Sequence, residues 1–247
     1  MKDENCMRKP RMILFDYGQT LVNEVPFDGE KATAAVMEYV IENKYGKTPK
    51  EIQAEATALN REFGRIDPSR RHLFQIEVPY DSFAAYLYES NGIRLSISYH
   101  QAEKIFWDTA SPGMATEGIK EFLAYLKAEG IRTGVISNIS YSGEALKTRL
   151  QEVLPEADFE FVIASSEYVF RKPNPRIFRL ALEKAGLEPE DVWYVGDQYE
   201  CDIVGAGNVG IFPVWYTAAV DFEQDFTKEA FKISCWRELQ DYVSRLV

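Results

Sequence analysis

Beyond residue 118 the chain alternates short apolar runs with amphipathic stretches, and few architectures accommodate that rhythm. Residues 119–127 carry apolar side chains at helical spacing and stop at Gly130. Residues 133–137 read as a strand, 142–151 as a helix, 159–164 as a strand, and 175–185 as a helix ending at Gly186. Residues 192–195 then read as a strand, 202–208 as a short helix and 211–216 as a strand. The last helix is expected over 235–246, with Ser234 as its N-cap. One earlier strand, 12–15, stops at Asp16-Tyr17-Gly18. Successive strands joined through helices run parallel, and the helices then cover both faces of the sheet. The expected fold class is therefore α/β, with a Rossmann-like parallel sheet as its core.

Between the first strand and this alternating region the pattern changes. Residues 28–111 read as helix after helix. Thr48-Pro49-Lys50-Glu51 is a capping box with proline at the first helical position. Ser98-Tyr99-His100-Gln101 is another, and a helix over 80–90 should end at Asn91-Gly92. No strand pattern is visible here, so the segment is expected to be an inserted all-helical domain. At 247 residues the chain exceeds the usual domain size of about 100–150 residues, which leaves room for an insert. The organisation expected is a core of 1–27 and 112–247 around an insert of 28–111, with Ser111-Pro112-Gly113 at the return.

Composition excludes several function classes. A net charge of −11 argues against nucleic-acid binding, which needs a basic face to displace counterions. It gives an anionic membrane nothing to attract, and no apolar run approaches the roughly 18 residues of a membrane helix. Cys6, Cys201 and Cys235 make neither a disulfide framework nor a CxxC zinc pattern. The N-terminus lacks the apolar core of a signal peptide, so a reducing cytoplasm is the expected location. A small-molecule partner is expected, and oligomeric state is left open.

In open parallel sheets, ligands bind at the carboxyl ends of the strands. The polar residues at those ends form a coherent set: Asp16, Ser137, Lys172, and Asp197 with Asp202 five residues on. An aspartate is a covalent nucleophile for phosphoryl groups. Several carboxylates with a backbone carbonyl make a hard oxygen site, which suits Mg²⁺ when a phosphate supplies further ligands. A lysine and a hydroxyl then neutralise phosphoryl oxygens.

At this point the chain resembles a known family. Phe15-Asp16-Tyr17-Gly18-Gln19-Thr20-Leu21 is similar to the first motif of the haloacid dehalogenase superfamily, an apolar strand followed by DxDGTL. Val135-Ile136-Ser137-Asn138 resembles its second motif, Lys172 in Arg171-Lys172-Pro173 its third, and Val195-Gly196-Asp197 through Asp202 its fourth, GDxxxxD. The order and spacing of the four match. The resemblance implies a mobile helical cap in the insert. It also implies Asp16 as nucleophile and Mg²⁺ ligand, the Gly18 carbonyl and Asp197 as further ligands, and Asp202 supporting the metal. Ser137 and Lys172 would hold the phosphoryl group, with Asn138 beside them. Arg61 and Arg65 share a helix face in the insert and are candidates for clamping an anionic substrate from the cap side.

One position departs from the family pattern. Most phosphatases of the family carry a second Asp two residues after the nucleophile, for acid–base catalysis, and Gly18 stands there. The expected activity is a Mg²⁺-dependent phosphatase acting on a small phosphorylated metabolite through an aspartyl-phosphate. The alternatives are a Mg²⁺-independent dehalogenase or phosphonatase, or a catalytically weak member that binds a phosphate ligand.

Overall fold

The computed structural model describes residues 8–64, 73–218 and 228–246. Strand β1 (Met12–Phe15) is buried along its whole length, because sheet neighbours flank it and helices cover both faces. Its side chains alternate: Ile13 and Phe15 enter one hydrophobic cluster, Met12 and Leu14 the other. The remaining strands of the main sheet are β6 (Arg132–Ser137), β7 (Val162–Ala164), β8 (Val192–Gly196), β9 (Phe212–Tyr216) and β10 (Phe231–Ile233). They lie in the order β10-β9-β8-β1-β6-β7, and every neighbouring pair is parallel.

Helices α5 (Ile119–Ala128), α6 (Gly143–Val153) and α10 (Trp236–Val243) cover the face of Ile13 and Phe15, through Phe122, Leu146, Leu150 and Leu239. Trp236 locks this layer: it stacks on Phe122 and Tyr216, and its Nε1 donates to Thr116 Oγ1 at 3.0 Å. Helices α8 (Pro175–Ala185) and α9 (Gly205–Gly207) cover the other face, with Ile177, Phe178 and Ala206 packed on Met12 and Leu14. The α/β class and the parallel Rossmann-like sheet are as the sequence implies.

Several boundaries differ. The last helix is capped by Cys235, and Ser234 instead lies just outside it, donating from its backbone N–H and hydroxyl to the Glu238 carboxylate. The turn after β8 is a π-helix beginning at Tyr199, three residues before the expected helix start. Strand β10 is too short to show a period in sequence and exists through its pairing with β9.

The insert has four helices, α1 (Gly29–Met37), α2 (Pro49–Glu62), α3 (Tyr80–Ser90) and α4 (Tyr99–Ala110). They share a core of their own around Val36, Ile52, Ala84, Leu87 and Ala102. Both capping boxes form. The end of α3 is closed by Asn91, whose Nδ2 donates to Leu87 O at 2.8 Å. The insert is not all-helical, however. Strands β3 (Val40–Asn43) and β4 (Ile93–Leu95) pair antiparallel between the helices. Residues 40–43 are half-exposed or exposed throughout, so no alternation marked them as a strand.

The insert joins the core through a second antiparallel pair, β2 (Val22–Glu24) and β5 (Gly113–Ala115). A Cβ on Gly113 would lie 2.5 Å from Cγ1 of the buried Val22, so any side chain there would force Val22 to shift. Ser111-Pro112-Gly113 is thus a paired junction: Val25 donates its N–H to Pro112 O, and Ser111 Oγ donates to Val25 O. Among the described residues no helix is long and apolar enough to cross a membrane.

Candidate active site

Three adjacent strands deliver the site. Phe15 lies opposite Val135 of β6 and Val195 of β8, so the three strands end within two residues of one another at the same edge of the sheet. Asp16 follows β1, Ser137 ends β6, and Asp197 follows β8. All three are buried. The π-helix turns the chain back so that Asp202 joins them, its Oδ2 accepting from Gln198 N–H at 2.9 Å. Its carboxyl presses against Gly196, where any Cβ would fall 2.4 Å from Asp202 Cγ. Carboxylate oxygens of Asp16, Asp197 and Asp202 lie within 4.8 Å of one another.

Lys172 supplies the positive charge. Its Nζ donates to Asp16 Oδ1 at 2.7 Å and to Tyr194 OH at 2.6 Å, and lies 2.7 Å from Asp202 Oδ1. Tyr194 OH in turn donates to Ile136 O at 3.2 Å. Asn138 holds the lysine by its backbone: Nδ2 donates to Lys172 O at 2.8 Å and Oδ1 accepts from Lys172 N–H at 2.7 Å. Both ends of the Asn138 amide are therefore engaged in positioning Lys172, a different use from the substrate contact expected of it. Asn174 then caps α8, with Pro175 at its first position.

Fully ionised, three buried carboxylates would outnumber the one buried ammonium by two charges. Burial, with Asp16 and Asp202 alongside, pushes Asp197 well above the usual carboxylate range. Burial likewise raises Asp202 to about 6, against the opposing pull of Lys172. For Lys172 burial favours the neutral form, but Asp16 and Asp202 outweigh it and hold the ammonium above its ordinary value. A divalent cation would balance this excess, and buried, all-oxygen carboxylate donors are the hard ligands that Mg²⁺ takes.

The arginines fare differently. Arg61 is exposed in the last turn of α2, and Arg65 lies outside the described residues. Aromatic residues of the insert, including Tyr80, Phe83 and Phe106, line a cavity of about 220 Å³ with Phe27 and Tyr141.

Some polar groups in the interior or at its edge are not marked by any sequence pattern. Tyr194 sits in an apolar strand and looks like core. Glu24 is the meeting point of Tyr17 OH, Trp107 Nε1 and Arg149 Nη1, which all donate to its Oε1, at 3.2, 3.0 and 3.2 Å. Arg149 lies over the Trp107 ring and also donates to Asp108 and to Ser111 O. Glu77, in the loop before α3, pairs with Arg171 and accepts from Ser165 Oγ, all three buried. Glu77→Ala should cost about 3–5 kcal/mol in urea unfolding, because it strands a buried guanidinium. A loss under 1 kcal/mol would show that Arg171 finds water or another partner.

The sheet thus carries a lysine-paired acidic cluster at its carboxyl edge, where the residues of the four motifs meet. The family model of haloacid dehalogenase-like hydrolases matches residues 10–210, and the chain belongs to that family. It is 28% identical over 246 residues to a glyceraldehyde 3-phosphate phosphatase of Pyrococcus furiosus, covering 96% of this chain and 90% of that protein. The fold matches the crystal structure of a phosphatase of the family from Thermococcus onnurineus, with a TM-score of 0.64 at 20% identity, over 95% of this chain and 98% of that one. It also matches a 2-haloacid dehalogenase from Pseudomonas syringae pv. Tomato, with a TM-score of 0.62 at 21% identity, over 96% and 99%. The fold is thus common to both chemistries, and the site must separate them.

Proposed function

We propose that this hydrolase is a Mg²⁺-dependent phosphatase that cleaves a small phosphorylated metabolite through an aspartyl-phosphate at Asp16. The observation that carries this reading is the buried cluster of Asp16, Asp197 and Asp202, three carboxylates set against the single ammonium of Lys172. A metal-independent dehalogenase needs no cation at such a cluster, whereas a phosphatase uses the one it would hold. The similarity to a named phosphatase along nearly the whole chain supports the same choice.

In this reading Asp16, Asp197 and Asp202, with the Gly18 carbonyl, would hold Mg²⁺, which when bound would supply charge screening for a phosphoryl group. Lys172 orients Asp16 and, with Ser137, binds phosphoryl oxygens. The anchored Asn138 keeps Lys172 in register with the nucleophile. The helical insert serves as the cap, closing over the aromatic cavity and selecting the rest of the substrate. The free thiols Cys201 and Cys235 suit a reducing cytoplasm.

Hydrolysis of p-nitrophenyl phosphate tests this directly. Turnover should require Mg²⁺ and fall roughly 10²-fold or more in EDTA. Turnover indifferent to EDTA would move the protein to the metal-independent C–X or C–P chemistries. A folded protein with no turnover at all would be a phosphate-binding member.

A further inference from the structure

Gly18 leaves the site without an acid–base side chain at the position where most of the family's phosphatases carry one. The loop after the nucleophile curls back on itself. Val22 donates its N–H to Tyr17 O, Gln19 donates its N–H to Val22 O, and Gln19 Nε2 donates to Glu24 O at 3.1 Å. Gln19 adopts a left-handed φ of 57° to make this turn. The curl brings the Glu24 side chain beneath Gly18. A Cβ built on Gly18 would lie 3.7 Å from Glu24 Oε2, an ordinary contact distance, so Oε2 occupies the neighbourhood that an aspartate there would reach. The two carboxylate oxygens of Glu24 are used unequally. Oε1 takes all three donors, Tyr17, Trp107 and Arg149, and fixes the side chain. Oε2 accepts no hydrogen bond among the described residues, and the side chain keeps 20% of its surface open.

We propose that Glu24 supplies the acid–base function that Gly18 lacks. This rests on the phosphatase reading above. In the first step Asp16 forms a bond to phosphorus as the ester P–O bond breaks, and the Glu24 carboxyl gives its proton to the departing alcohol oxygen. In the second step water forms a bond to phosphorus as the Asp16–phosphorus bond breaks, and Glu24 Oε2 takes the proton that water sheds. The net change is monoester plus water to alcohol plus phosphate, with Glu24 restored. The structural role of Glu24, tying β2 to α4 and α6, is served by Oε1 and leaves Oε2 for the reaction.

The test is Glu24→Gln, which keeps an acceptor for the three donors and loses the ionisable carboxyl group. With p-nitrophenyl phosphate, whose leaving group needs no proton, Glu24→Gln should release a stoichiometric burst of p-nitrophenol at the wild-type rate. Steady-state turnover should then fall about 10²–10⁴-fold, because water attack lacks its base. With an alkyl phosphate such as β-glycerophosphate the burst itself should disappear. Adding Gly18→Asp to Glu24→Gln returns a carboxyl to the adjoining backbone, and turnover should recover at least tenfold. Glu24→Gln turnover within about threefold of wild type on both substrates would overturn the proposal. So would loss of burst and turnover together on the aryl substrate without rescue by Gly18→Asp, which is the signature of a structural role. A wild-type enzyme inactive on both substrates would remove the phosphatase reading, and this proposal with it.

Discussion

Asp16→Asn should abolish Mg²⁺-dependent hydrolysis of p-nitrophenyl phosphate, lowering kcat by about 10⁴-fold or more, while the protein stays folded. The amide has the shape of the carboxylate but no negative oxygen to attack phosphorus, and it is a weaker ligand for a hard cation. Folding should survive because Lys172 keeps Asp202 at 2.7 Å when Asp16 loses its charge. The substitution also relieves crowding among three buried carboxylates, so the metal-free variant should melt no lower than wild type. Circular dichroism melts in EDTA and steady-state assays in Mg²⁺ check the two halves. Retained turnover within tenfold would mean that Asp16 is not the nucleophile.

Lys172→Ala should destabilise the fold strongly and in a pH-dependent way. The ammonium is the sole cation within hydrogen-bond reach of Asp16 and Asp202 among the described side chains. Removing it leaves buried anions unpaired, and breaking such a pair costs about 3–5 kcal/mol. The pH dependence has a definite sign. Asp202 already stands at about 6 in the native protein and Asp197 well above its ordinary value, both raised by burial. Without Lys172 both should rise further. A carboxyl whose native value exceeds its unfolded value, about 3.9 for Asp, binds more protons folded than unfolded. Its contribution to stability is therefore lost as pH rises through that window and regained as pH falls towards 4. The difference in unfolding free energy between Lys172→Ala and wild type, measured in EDTA, should be largest near pH 8 and shrink towards pH 5. Mg²⁺ should recover part of it, since a ligand that binds only the native state stabilises that state by mass action. A pH-independent difference would mean that the loss comes from packing alone.

Much of the candidate site was legible because its members fall at or just after strand ends. A strand that is apolar until its last residue, as in Phe15-Asp16 or Gly196-Asp197, places the next polar side chain at the edge of the sheet. The same rule located Ser137 at the end of β6. The helix caps were equally local: Thr48 with Glu51, and Ser98 with Gln101, make their bonds within one turn. By contrast the β3–β4 pair was hidden, because a two-stranded, half-exposed ribbon leaves no period in either strand. The role of Asn138 was also hidden, because its partner backbone lies 34 residues away.

By itself the sequence determined the parallel α/β core, the inserted helices and the ordered set Asp16, Ser137, Lys172, Asp197 and Asp202. These follow from hydrophobic periodicity and from the polar residue that ends each buried strand, both properties of neighbouring residues. Only the tertiary structure decided the π-turn that brings Asp202 against Gly196, and the engagement of Lys172 by Tyr194 and Asn138. It alone set Glu24 beside Gly18, held by Trp107 and Arg149 from 83 and 125 residues away. Such contacts depend on where separate elements stop and how their side chains meet, which no local pattern encodes.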